Sequence, residues 1–254
     1  MSPVFEPQQP ILHNFSDPDK DAFDLPPVEL VRKALLKLAA HGTQLIVWGA
    51  LLDQHLHVPR IDFTFVICND ELEEASEILT SMHLPLTAPR PLLLLTEGDL
   101  YRSGYHHRIT NKLDDASIRC IRLVPASLPA FAQDELEPIT VDGVPVYVPR
   151  TSAVYASITR LMKKYRRSGP ERRRLASDLE LLVNYNLLGV YRAPTDEDDS
   201  EEFDMERQVA EAESTIRGWG EAGEWREGEE WVEDALVRIV RDEMCIDDLP
   251  SRSD

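Results

Sequence analysis

Leu45-Ile46-Val47-Trp48-Gly49-Ala50 and, a little further on, Arg60-Ile61-Asp62-Phe63-Thr64-Phe65-Val66-Ile67 decide the fold. Residues 45–48 read as a short apolar strand and residues 62–67 as a second one, rich in β-branched and aromatic side chains. Between them Gly49-Ala50 turns the chain, and residues 51–55 read as a short helix. A pair of small residues after one strand lets backbone N–H groups approach an anion closely. A carboxylate at the start of the next strand can hold a hard cation against that anion.

Outward from this unit the signals alternate between helix and strand. Residues 1–25 are broken by Pro3, Pro7, Pro10 and Pro18 and read as an unstructured arm. Pro26-Pro27 suits a helix start, and Val28, Leu30, Val31, Ala34, Leu35 and Leu38 recur at helical spacing before the His41-Gly42 stop. After Asn69-Asp70, a second helix carries Leu72, Ala75, Ile78, Leu79 and Met82. Residues 92–95, 101–109 and 117–124 are strand candidates. Asp142-Gly143, between the β-branched runs 139–141 and 144–148, predicts a hairpin. Thr151 opens a helix that runs to Tyr165. Ser168-Gly169-Pro170 breaks it, and a second helix follows to Leu188-Gly189, so the two are expected as antiparallel neighbours.

The segment from Gly42 to about Leu188 resembles the nucleotidyltransferase-like superfamily, the fold of polymerase β and of small antitoxin-type nucleotidyltransferases. The resemblance rests on Leu45–Ala50, on Arg60 before the second strand, and on Asp62-Phe63-Thr64. It continues in Arg160-Leu-Met-Lys163-Lys164-Tyr165-Arg166-Arg167, Arg172-Arg173-Arg174 and Ser177-Asp178-Leu179-Glu180. It implies an α/β mixed sheet of about five strands flanked by helices, with a helical segment behind it. It also implies Mg²⁺ and a nucleoside triphosphate as cofactor and substrate in an active member. Asp62 falls on the first carboxylate of the family's Asp-x-Asp pair and Thr64 on the second. A third carboxylate is expected on the 117–124 strand, which carries Arg119 and Arg122 and no acid. Asp114 and Asp115, just before it, are the remaining candidates. A threonine hydroxyl cannot replace an anionic ligand.

The residues expected to border a phosphate are therefore Gly49, Ala50, Arg60, Asp62 and Thr64, with Lys163 and Arg167 neutralising charge. Asp62 is the one metal candidate and the leading catalytic candidate. Residues 160–174 hold eight bases and one acid, Glu171. Such a run can meet phosphates, but only Tyr165 is interleaved with it, which argues against nucleic acid. Cations also suit a helix C-terminus, and Arg174 can pair with Asp178 at i,i+4. His55, His57, His83, His106 and His107 read as surface or loop histidines. The adjacent His106 and His107 would point to opposite faces of a strand and could not readily share a metal.

The net charge of −19 is concentrated at one end: residues 195–254 hold 22 acids and 6 bases, whereas the rest of the chain is nearly balanced. Acidity is thus a feature of a tail and says nothing about the ligand of the body. Residues 195–202 read as an acidic linker, followed by helices over 203–217 and 229–244. Trp219, Trp225 and Trp231 stand out in so polar a stretch and suggest a helix that docks on the body or on a protein partner. The tail could also fold back over the 160–174 run. No apolar run reaches the ~20 residues of a membrane span. Three scattered cysteines without Cys-x-x-Cys spacing fit a reducing cytoplasmic or nuclear setting.

The expected organisation is an arm (residues 1–25), an α/β domain (26–150), a helical pair packed on it (151–194) and an acidic helical tail (195–254). The expected role is that of a degenerate, non-catalytic member that binds a nucleotide weakly or scaffolds a partner. One alternative is an active Mg²⁺-dependent transferase acting on a small molecule, protein or RNA. The other is a pure interaction module.

Overall fold

The computed structural model describes residues 23, 25–48, 63–110, 119–190 and 205–252. The expected arm apart from Phe23 and Leu25, the acidic linker, the expected helix over 51–55, and Gly49, Ala50, Arg60, Asp62, Asp114 and Asp115 lie outside the described residues.

Helix α1 (Pro27–Ala40) starts on a proline whose missing N–H costs no hydrogen bond there, and it buries Leu30, Val31, Ala34 and Leu38. Strands β1 (Ile46–Val47) and β2 (Phe63–Ile67) follow. Next come helices α2 (Leu72–Ser81), α3 (Pro91–Glu97) and α4 (Asp99–Arg102). Strands β3 (Tyr105–Arg108), β4 (Cys120–Pro125), β5 (Leu136–Val141) and β6 (Val144–Pro149) complete one mixed sheet. Its six strands run in the order β3-β4-β2-β1-β6-β5. β1 is antiparallel to β2, and β2 is parallel to β4. The strands expected to build the site are therefore neighbours. The chain is a mixed α/β protein with helices flanking this sheet.

Among the described residues four helices follow the sheet: α5 (Thr151–Lys164), α6 (Pro170–Leu182), α7 (Met205–Glu221) and α8 (Glu230–Val240). Helix α6 runs on into a π-helical turn, Val183–Leu187. Two apolar clusters divide the interior. One joins α1 and α2 to the sheet through Phe65, Ile67, Ile121 and Leu123. The other joins the four C-terminal helices, with Tyr155, Leu161, Leu179, Ile216, Val232 and Leu236 at its centre. The acidic tail thus contributes α7 and α8 to a packed core. The three tryptophans are part of that packing: Trp219 lies 5.5 Å from the Tyr155 ring and 5.8 Å from Trp225, and Trp231 is half-buried against the same cluster.

The Asp142-Gly143 hairpin forms as expected, with φ of 50° and 80°, the pair of positive values that a two-residue turn between twisted strands needs. Three expectations are corrected. Residues 92–95 lie in helix α3. A short apolar run has no decisive period, Pro91 favours a helix start, and Leu92 and Leu95 are 70% and 74% exposed. The strand expected over 101–109 begins only at Tyr105, because residues 99–102 form α4. His106 and His107 are buried, because both faces of β3 are covered: His107 meets Ser76 of α2, and His106 meets Tyr101. They do point in opposite directions, as expected for neighbours on a strand. Among the described residues no helix is long and apolar enough to cross a membrane.

Candidate functional site

At the junction of the sheet with the C-terminal helices lies a cleft of about 130 Å³. Trp48 at the end of β1, Thr64 on β2 and Arg122 on β4 line its sheet side. Thr64 and Arg122 are register partners across the parallel β2–β4 pair. Glu97 of α3 and Arg174 and Asp178 of α6 line the opposite side.

Each charged group in the cleft is engaged. Arg122 is 9% exposed. Its Nη2 donates to the carbonyl oxygen of Leu100 at 2.8 Å, and its guanidinium lies 4.5 Å from the centre of the Tyr101 ring. Arg90 holds the same ring from another direction, donating to the Tyr101 hydroxyl at 3.0 Å. Arg174 donates to Asp178 at 3.1 Å and reaches Glu97 at 3.5 Å. The i,i+4 pair expected from the sequence is therefore formed. Burial holds the Asp178 carboxyl above its ordinary pKa, against the pull of Arg174.

His106 lies beside this cluster. Burial and then the Arg122 charge push its pKa down to about 4, so it is neutral near pH 7, and its ring nitrogen Nε2 is 3.0 Å from the Tyr101 carbonyl. His107 is shifted down by burial as well, and its ring is fixed between Ser76 and the Leu84 carbonyl.

Of the residues singled out from the sequence, Thr64 lines the cleft, while Lys163 and Arg167 do not. They are exposed, on the last turn of α5 and in the loop before α6. Arg122 and Arg174 stand where those two were expected. Glu97 was missed because it lies far away in sequence and only the fold of α3 against α6 brings it in. Among the described residues no group of three or more His, Cys, Asp or Glu side chains converges as a metal site. The described donor set does not suit Mg²⁺, which takes oxygen ligands with carboxylate charge. Thr64 offers a neutral hydroxyl, a guanidinium stands opposite it, and the two nearby acids are tied to Arg174.

The tail docks by charge as well as by apolar packing. Glu135, which is buried, accepts from Arg160 Nη2 at 2.8 Å and from Arg226 Nε and Nη2 at 2.8 and 2.6 Å. Arg160 also faces Glu229 at 3.1 Å. Arg172 is 1% exposed and donates to the Leu249 carbonyl at 2.8 Å. The tail therefore engages the side chains of Arg160 and Arg172 in the 160–174 run, and Ser152 of α5 donates to Glu224.

No family model matches the chain, and no curated protein matches it. Among solved structures, one similar chain is an antigenic nucleotidyltransferase-like protein from Paracoccidioides brasiliensis. It has 12% sequence identity and a TM-score of 0.39, and the match covers 82% of this chain and 92% of that one. At that score the likeness is one of outline, and no residue correspondence is drawn from it.

Proposed function

We propose that this chain is a degenerate nucleotidyltransferase-fold protein that does not transfer nucleotides, binds a nucleotide weakly at most, and serves to hold a partner. One observation carries the reading: the Thr64–Arg122 pair at the heart of the cleft. A transferase of this fold needs converging carboxylates there to hold Mg²⁺ against a triphosphate. A guanidinium among them repels the ion it would have to bind.

Titration calorimetry of the full chain with each nucleoside triphosphate, with and without Mg²⁺, tests it. Binding that is absent, or weak and indifferent to Mg²⁺, is the expected result. Tight binding that requires Mg²⁺ would refute the proposal.

A further inference from the structure

Glu135 and the tail's Glu229 account for Arg160, the tail's Leu249 carbonyl for Arg172, and Asp178 with Glu97 for Arg174. Lys163, Lys164, Arg166, Arg167 and Arg173 remain exposed. No carboxylate among the described residues forms an ion pair with any of them. The fold adds a sixth cation from the far end of the chain. Arg252 donates its backbone N–H to the Tyr165 carbonyl at 3.1 Å, and its main chain bridges to Arg166.

This crowding is against the trend of the molecule. Acids outnumber bases 46 to 27. Arg32, Arg102, Arg217 and Arg241 each reach a carboxylate. Six like charges gathered without such partners repel one another, and repulsion of this kind lowers stability unless something offsets it. The platform beneath them is also fixed. Gly169 N–H donates to the Arg166 carbonyl at 2.9 Å and closes the loop, while buried Arg172 anchors that loop to the chain at Leu249.

We propose that Lys163, Lys164, Arg166, Arg167, Arg173 and Arg252 form a docking face for an acidic segment of a partner protein. Charge complementarity fixes the sign of the partner, and two features select its class. Tyr165 is half-buried and is the only aromatic residue in the run, so the face lacks stacking platforms for bases. The net charge of −19 repels a polyanion that extends past the patch. A short acidic segment stays within about one Debye length, ~8 Å at physiological salt, of the cations it meets. This face lies apart from the Thr64–Arg122 cleft and does not depend on the reading of that cleft.

The test uses the full chain and a fluorescent glutamate decapeptide, with a single-stranded RNA decamer and anionic phosphatidylserine vesicles as comparison arms. Anisotropy at about 0.05 M and about 0.3 M salt should show peptide binding that weakens with salt. The Lys164→Glu/Arg166→Glu variant should lose about tenfold or more in affinity, and Lys164→Ala/Arg166→Ala should lose less. Both positions are exposed, so the thermal midpoint should hold in each. Peptide affinity unchanged by the charge reversal would overturn the proposal. So would RNA or vesicles binding more tightly than the peptide.

Discussion

Thr64 and Arg122 face each other across adjacent parallel strands, and both line the cleft between the sheet and α6. Arg122 is held there by the Leu100 carbonyl and the Tyr101 ring. Arg122→Ala should therefore cost about 1–3 kcal/mol, because it strips a buried carbonyl of its donor. Arg122→Lys should rescue little of this, since an ammonium cannot both stack on the ring and keep the planar fork. Urea unfolding of the two variants measures the difference.

Glu135 is the hinge pin of tail docking. It is buried between Arg160 and Arg226, and it also accepts the Ala132 N–H at 2.8 Å. Glu135→Gln removes the charge, leaves the Arg226 guanidinium without its counter-ion and leaves Arg160 with Glu229 alone. The cost should be about 3–5 kcal/mol. The segment between α7 and α8, which contains Arg226, should also become the first site of limited proteolysis. An unchanged digestion pattern with unchanged stability would show that the apolar cluster alone holds the tail.

His106 makes stability depend on pH. Its folded pKa of about 4 lies below the ordinary 6.5, so the unfolded chain binds more protons between those values. Stability should then rise with pH across that window, and it should be lost as pH falls from about 6.5 to about 4. The contribution is about 3 kcal/mol. His106→Gln should flatten this part of the profile in denaturant titrations at several pH values. His107, which burial shifts in the same direction, adds to the slope, and Asp178, whose carboxyl burial raises, adds one of opposite sign.

Gly104 lets β3 begin beside β4. Its φ is +91°, and a Cβ there would fall 1.9 Å from the Leu123 carbonyl oxygen. Backbone cannot yield as a flexible side chain can, so Gly104→Ala should cost at least ~2 kcal/mol by thermal unfolding. Gly143→Ala, with φ +80° and open space around it, should cost less, about 1 kcal/mol.

Much of this architecture could be read from the sequence because its signals are local. Pro27 and Gly42 bracket α1, Asp142-Gly143 sets the β5–β6 hairpin, and Gly169-Pro170 separates α5 from α6. The four leucines at 92–95 read as a strand and lie in helix α3, since so short an apolar run has no decisive period and none of its side chains is buried. The burial of His106 and His107 was hidden for a similar reason. Polar side chains are buried when distant groups satisfy them, here Ser76, Leu84 and Tyr101. Of the cleft, Thr64 and the lack of an acid on β4 were legible. That Arg122 and Arg174, and not Lys163 and Arg167, supply its positive charge depends on how α6 crosses the sheet, which no spacing encodes.

The most direct test is turnover of nucleoside triphosphates by the full chain in Mg²⁺, alongside Asp62→Ala. A chain without transferase chemistry gives no Mg²⁺-dependent release of pyrophosphate and no difference between the two proteins. Mg²⁺-dependent turnover that Asp62→Ala abolishes would contradict the proposed function.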